Sequence, residues 1–170
     1  IRKENGGQAA ALNVGFAEAR GEIVATLDGD DLWLPGKVRR VLEEFEKHPE
    51  AGMVYHPFEH WDVQRNVMEK DKNFPAVSGN VLEMREGLLR YGDLSTSGLA
   101  FRKAAVAKLL PIPEGIRIYA DSYLGYLIIF VAPVAAVREH LTRYRIHGGN
   151  LFSHSGEDEA RLRQRWECWS

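Results

Sequence analysis

Cysteine is nearly missing from this chain. Cys168 stands alone among 170 residues, which excludes an intrachain disulfide framework and fits a reducing compartment. No signal peptide is recognisable. No apolar run is long enough for a membrane span. The longest, Tyr123 to Val137, is interrupted by Pro133 and reads better as a buried helix followed by a strand. An excess of positive charge is also lacking. Lys and Arg number 22 against 24 Asp and Glu, for a net charge of -2, so there is no basic footprint for nucleic acid. Repeats and low-complexity stretches are absent. With 45% hydrophobic and 27% charged residues, the composition is that of an ordinary globular chain with one domain over 1–170 and a real core. The expected location is cytoplasmic or peripheral to a membrane.

The most informative stretch is Thr26-Leu-Asp-Gly-Asp-Asp-Leu-Trp-Leu-Pro35. A short apolar run from Glu22 to Leu27 predicts a buried strand. Asp28, Asp30 and Asp31 follow at once, and Pro35 suits the first position of a helix. Ligands of open α/β sheets bind beyond the carboxyl ends of strands, where Asp28 and Asp30 would lie. Carboxylates this close repel, and a hard divalent cation with oxygen ligands would hold them together while also engaging phosphate. The competing reading is an acidic turn that caps the next helix.

Asn5-Gly6-Gly7, a helix carrying Asn13, Gly21-Glu22, Leu27-Asp-Gly-Asp-Asp-Leu-Trp-Leu-Pro-Gly-Lys37 and Tyr144-Arg-Ile-His147-Gly-Gly-Asn150 together resemble the family 2 glycosyltransferases. The resemblance implies a GT-A fold, Rossmann-like, with a mostly parallel sheet flanked by helices. It also implies an inverting transfer from a nucleotide-diphosphate sugar to an acceptor hydroxyl on a glycan, lipid or small molecule, as in a metal-dependent hexosyltransferase. Such enzymes begin with a strand–helix–strand that this chain lacks before its glycine pair, so the resemblance implies an N-terminally truncated domain.

The remaining elements follow in order. Residues 7 to 20 predict a helix with Ala9, Leu12, Phe16 and Ala19 on one stripe and Gly21 as a left-handed cap. Asn13 lies off that stripe, as a solvated side chain or, by the resemblance, beside the nucleotide. Residues 35 to 47 predict a second helix that buries Val38, Val41, Leu42 and Phe45 and leaves Lys37, Arg39, Arg40 and Lys47 mostly outside, as a solvated face rather than as cations that reach a diphosphate. Ala51 to Phe58 reads as a central strand. His56, His60, Trp61 and Asp62 read as hairpin residues without metal-ligand spacing. Residues 63 to 79 look irregular or like an edge ribbon, and Asn80 to Tyr91 predicts a helix with Val81, Leu82, Leu88 and Leu89 inside. Ser95-Thr-Ser-Gly98 is either a plain turn into the strand Leu99–Phe101 or, by the resemblance, part of the acceptor side of a cleft. A short helix over 103–110, a helix opened by Asp121, strands at 134–137 and 141–146, and an amphipathic helix over 157–169 complete the reading.

The resemblance assigns roles. Asp30, with Asp28, would hold Mn²⁺ or Mg²⁺ at the diphosphate, and Asp28 would accept a ribose hydroxyl or a metal-bound water. His147 would lie near the donor diphosphate, unless it is a turn histidine bonded to backbone. Asp121 would be the catalytic base, unless it only caps its helix. The family carries an acidic pair there, whereas this chain has Ala120-Asp121. Two other readings compete: a nucleotidyltransferase, disfavoured by the lack of a basic glycine-rich phosphate loop, and a non-catalytic sugar- or partner-binding remnant.

Overall fold

The computed structural model describes residues 1–84, 91 and 94–150. The helix expected over 157–169, and Leu88 and Leu89, lie outside the described residues. Two four-stranded sheets organise the rest. The central one has the order β1 (Ile23–Ala25), β6 (Leu99–Arg102), β3 (Met53–Tyr55), β7 (Val134–Ala136). The second has the order β2 (Leu32–Trp33), β8 (Thr142–Ile146), β4 (Phe58–Asp62), β5 (Val67–Lys70). The helices are α1 (Gly7–Glu18), α2 (Lys37–Lys47), α3 (Lys103–Val106) and α4 (Ala120–Leu127).

The strand periodicity of two explains the layers. Met53, Tyr55, Leu99, Phe101 and Val134 point to one face, where Ala9 and Phe16 of α1 and Ala120 and Leu124 of α4 cover them. Val54, Ala100 and Ala135 point to the other, where Val41 and Phe45 of α2 pack. A sheet buried on both faces needs apolar residues at successive positions, as at Met53–Tyr55. The single strand expected over 51–58 is instead divided between β3 and β4, in different sheets.

The α/β class with flanking helices is as expected, but the strand directions are mixed rather than mostly parallel among the described residues. β3 runs parallel to β7 and β4 to β8. β6 is antiparallel to both β1 and β3. Alternation of strand and helix patterns carries the class but not the direction of a strand such as β6, which arrives after a long excursion from the sheet.

Several local expectations are corrected. α1 ends at Glu18 with an extended Ala19, so Gly21 is not its cap. α2 starts at Lys37 behind a left-handed Gly36, leaving Pro35 outside the helix. Val38 and Leu42 are exposed, whereas Lys37 is buried with Val41 and Phe45. The buried face of α2 is thus the 37–41–45 row rather than the stripe through 38 and 42. The described start of the segment expected as a helix from Asn80 is a single 3-10 turn, Val81–Glu83, held by Asn80 Oδ1 accepting from the Leu82 N–H at 3.2 Å, with Val81 buried and Leu82 exposed.

A buried 3-10 turn, Thr96–Gly98, leads directly into β6. It packs so closely on β4 that a Cβ at Gly98 would lie 2.9 Å from Phe58 Cε2 and 3.1 Å from the His56 carbonyl oxygen. Gly98→Ala should therefore destabilise the full protein by about 1–3 kcal/mol through overpacking. Urea unfolding measures this, and an unchanged midpoint would mean that Phe58 gives way freely.

Candidate active site

The DGDD stretch does not run from a strand into a helix. It crosses from the central sheet to the second one. β1 ends at Ala25, a turn closes with the Asp31 N–H donating to the Asp28 carbonyl at 3.2 Å, and β2 begins at Leu32. The two residues of β2 are enough to set the geometry. They pair antiparallel with β8 in the register Leu32↔Arg143 and Trp33↔Thr142, so the turn before β2 meets the far end of β8. There the Arg145 N–H donates to Asp31 Oδ1 at 3.0 Å, and the His147 ring reaches Asp30.

His147 is held in one orientation. Its N–H donates to Asn150 Oδ1, and Asn150 Nδ2 donates to the Arg145 carbonyl at 2.8 Å. The Gly149 N–H donates to His147 Nδ1 at 3.1 Å. A nitrogen that accepts carries no proton, so the neutral ring has its proton on Nε2 and donates it to Asp30 Oδ2 at 3.0 Å. The turn-histidine reading and the ligand-side reading are therefore compatible, because the backbone contact sets the tautomer that faces the carboxylate.

The second acid arrives from α4. Tyr119 precedes the helix in the left-handed region, with φ 67, and Asp121 falls in its first turn. Asp121 Oδ2 accepts from both the N–H and the hydroxyl of Thr96, each at 3.0 Å, and Oδ1 accepts from the Ser122 N–H at 2.7 Å. Gln8 braces the same point, donating to Thr96 Oγ1 at 2.8 Å and accepting from the Ala120 N–H at 2.8 Å. Next along the chain, Ser97 Oγ accepts from the Asp28 N–H at 3.0 Å. Asp28 and Asp121 are thus tied to adjacent residues of one buried turn.

The electrostatics follow from that proximity. Burial, and then the Asp121 charge, push the Asp28 carboxyl up to about 6 from its ordinary 3.8, with the Thr96 hydroxyl opposing. Burial also pushes Asp31 up, against the pull of the Ser97 hydroxyl and the Arg145 N–H. Asp31 Oδ2 is buried and no hydrogen bond of good geometry reaches it. Tyr144 faces the same acids. Burial, followed by the charges of Asp31, Asp30 and Asp28, raises its phenol to about 12.

Asp28, Asp30, Asp121 and His147 are therefore brought to one side of the molecule by β1, β2, α4 and β8. Asn13 is engaged elsewhere. Its Nδ2 donates to the Ile112 carbonyl at 2.8 Å, and its Oδ1 accepts from the Ile112 N–H at 2.7 Å, a two-point clamp on the segment that follows α3. His56 and His60 do not join the acids. His56 Nδ1 donates to the Pro57 carbonyl at 2.9 Å, and His60 Nε2 pairs with Asp71 Oδ1 at 2.6 Å. Among the described residues no three His, Cys, Asp or Glu side chains converge as a metal-binding group.

Gln8 was missed as part of this site, Lys37 was expected mostly on a solvated face, and Thr96 and Ser97 were weighed only as the acceptor side of a cleft. The signal for Lys37 was present, since 37, 41 and 45 recur at the four-residue interval of one helix face. For Thr96 and Ser97 small size and the resemblance pointed to a cleft, but not to Asp28 and Asp121 as partners. Their partners lie far away in sequence.

The family model for Glycosyl transferase family 2 matches residues 1–110. The chain belongs to this family. It is 36% identical over 159 residues to an uncharacterised glycosyltransferase of Nostoc sp. (strain PCC 7120), covering 88% of this chain and 47% of that protein. It is 26% identical over 176 residues to an uncharacterised protein of Mycobacterium bovis, covering 98% of this chain and 46% of that protein. The chain thus spans about half the length of these relatives. Among solved structures, TarS 1-349 of S. aureus in complex with UDP-GlcNAc matches with a TM-score of 0.68 at 17% identity, over 88% of this chain and 42% of that chain. The UDP complex of TarS 1-349 matches with a TM-score of 0.66 at 16% identity, over 86% of this chain and 42% of that chain. At such identity these matches establish the GT-A fold. No helix among the described residues is long and apolar enough to cross a membrane.

The raised Asp28 carboxyl has a stability consequence with a definite sign. Its folded value lies above its unfolded value, so its contribution is fully present below about pH 4 and lost as pH rises through about 6. Asp28→Asn should therefore stabilise the full protein by about 1–2 kcal/mol at pH 7.5, and by less at pH 4.5. Urea unfolding at the two pH values measures this. Equal effects at both would mean that the carboxyl is not perturbed.

Proposed function

We propose that this chain carries the donor site and the catalytic base of an inverting glycosyltransferase, which moves a sugar from a nucleoside diphosphate sugar to an acceptor hydroxyl. The observation that carries the reading is the joint suspension of Asp28 and Asp121 on Thr96-Ser97, with Asp30 and His147 on the neighbouring turn. UDP and UDP-GlcNAc are bound in the TarS structures, and a uridine donor is the first candidate here.

Asp121 is the base. A carboxylate offers about four acceptor sites. Thr96 takes two and Ser122 one, so the group is oriented and keeps a site for the proton of an incoming hydroxyl. Proton transfer to such a weak base comes late, after positive charge has developed on the sugar. Attack from the face opposite the leaving diphosphate inverts the anomeric carbon. Asp28 accepts a ribose hydroxyl or a metal-bound water.

Asp30 and Asp28 offer the hard oxygen donors that suit Mn²⁺ or Mg²⁺. A cation that completes its shell with substrate phosphate needs only one or two carboxylates from the protein. When bound, the ion supplies charge neutralisation for the leaving diphosphate. His147 donates to Asp30 and fixes that carboxylate. The acceptor hydroxyl would belong to a glycan, a lipid or a small molecule.

Incubating the full protein with UDP- and GDP-sugars and Mn²⁺, and separating the products by chromatography, tests the reading. It also separates it from a non-catalytic sugar-binding role, which would bind donor without turnover. Asp121→Asn should lower turnover by about 10²–10⁴-fold and leave donor affinity within about twofold, because a base acts only in the chemical step. Near-normal turnover would dismiss Asp121 as base. Asp30→Ala should abolish metal-dependent donor binding in calorimetry, and unchanged Mn²⁺ affinity in the folded variant would remove Asp30 from the metal site.

A further inference from the structure

Lys37 is 2% exposed, although a helical residue beside Pro35-Gly36 and followed by Arg39 and Arg40 would ordinarily reach solvent. Its Nζ donates to the Ser97 carbonyl and, at 3.0 Å, to Thr142 Oγ1. The Thr142 hydroxyl donates to the same Ser97 carbonyl at 2.9 Å. The Trp33 ring lies 4.6 Å from Nζ, close enough for a cation–π contact. The titratable groups that face the ammonium are Asp31, from the turn before β2, and His56, from the end of β3. His56 brings no competing positive charge, because burial and then Lys37 itself hold its ring down at about 3.

A buried ammonium is expensive unless it is paired and hydrogen-bonded, and an apolar side chain of the same length would pack here without that cost. What the ammonium touches gives it a use. The Ser97 carbonyl that it anchors belongs to the residue whose hydroxyl accepts from the Asp28 N–H, and the preceding residue, Thr96, holds Asp121. We propose that Lys37 is a positioning residue for the acidic site: its ammonium pins the Thr96–Gly98 turn from below, and so sets the placement of Asp28 against Asp121, while its charge offsets the buried Asp31. The role rests on the glycosyltransferase reading above for its functional meaning, but its geometric part does not. Burial pushes the Lys37 ammonium down to about 7, against the pull of Asp31. The charge is therefore present below neutral pH and lost above it.

The test uses the full protein and Lys37→Met, which keeps the side-chain length and removes the charge. Hydrogen exchange at the Asp28 amide reads the tie without any ligand. Exchange there should accelerate at least tenfold in the variant, with exchange at Val54 in the central sheet unchanged. The second readout is UDP affinity in the presence of Mn²⁺. In the wild type it should weaken between pH 6.5 and 8.5 as the ammonium loses its proton. In Lys37→Met it should be at least tenfold weaker at pH 6.5 and flat over the range. Unchanged exchange at Asp28, or equal acceleration at Asp28 and Val54, would overturn the proposal, since the second result describes a general loss of stability. If Lys37→Met does not fold, Thr142→Val keeps the lysine and removes one of its acceptors. The Asp28 amide should then exchange at least threefold faster, and an unchanged rate would overturn the proposal in the same way. A wild type that binds no UDP would count against the uridine donor alone, and the exchange measurement would still decide the role of Lys37.

Discussion

The placement of Asp28 against Asp121 depends on one buried turn of 3-10 helix, Thr96–Gly98. Its backbone and hydroxyls hold groups from five separate parts of the chain, Gln8 of α1 among them. Thr96 donates twice to Asp121, and its carbonyl accepts from the Thr26 hydroxyl at 2.6 Å. Ser97 accepts the Asp28 N–H on one side and receives Lys37 and Thr142 on the other. Gly98 lets this turn lie against Phe58 and the His56 carbonyl with no room for a side chain. A buried turn with its polar atoms satisfied is rigid, since each unmade bond would leave an orphaned group. The rigidity is passed to two carboxylates that would otherwise repel each other apart.

The charge arrangement has a matching logic. Asp28 feels the charges of Asp121, Asp31 and Asp30, while the buried Lys37 faces Asp31 and His147 lies beside Asp30. Burial is the main cause of the raised Asp28 and Asp31 carboxyls, and the neighbouring acids add to it. Acids shifted by burial and by neighbouring charge cluster at functional sites, and Asp28 and Asp31 lie beyond the end of β1. The ordinary helix-surface cations behave differently. Arg40 is paired with Glu139 and Glu43, and Lys47 with Glu44, so α2 offers the site only its buried end.

Some of this was legible in the residues themselves. The first part of the apolar run at 51–58, the apolar Leu99–Phe101 stretch and the stripe through Ala9, Leu12 and Phe16 are local signals, and each corresponds to a buried part of an element. The crowded acids of the DGDD stretch and the compact His147-Gly-Gly-Asn150 turn were also visible, because residue chemistry and short spacing survive any tertiary arrangement. The α2 face was misread for a specific reason. Hydrophobicity ranks Val38 and Leu42 above Lys37, but the helix turns its 37–41–45 row inward, where Ser97, Thr142 and Trp33 wait for an ammonium.

The sequence by itself determined the α/β class, the positions of most strands and helices, and the family to which the chain belongs, because periodicity and motif chemistry are properties of neighbouring residues. The tertiary structure alone decided the rest. It made β6 antiparallel and split the strands into two sheets with the acids on the turn between them. It also spent Asn13 on Ile112 and brought Asp28 and Asp121 to adjacent residues of one turn. Those outcomes depend on pairing register and packing between segments far apart in the chain, which no local pattern encodes.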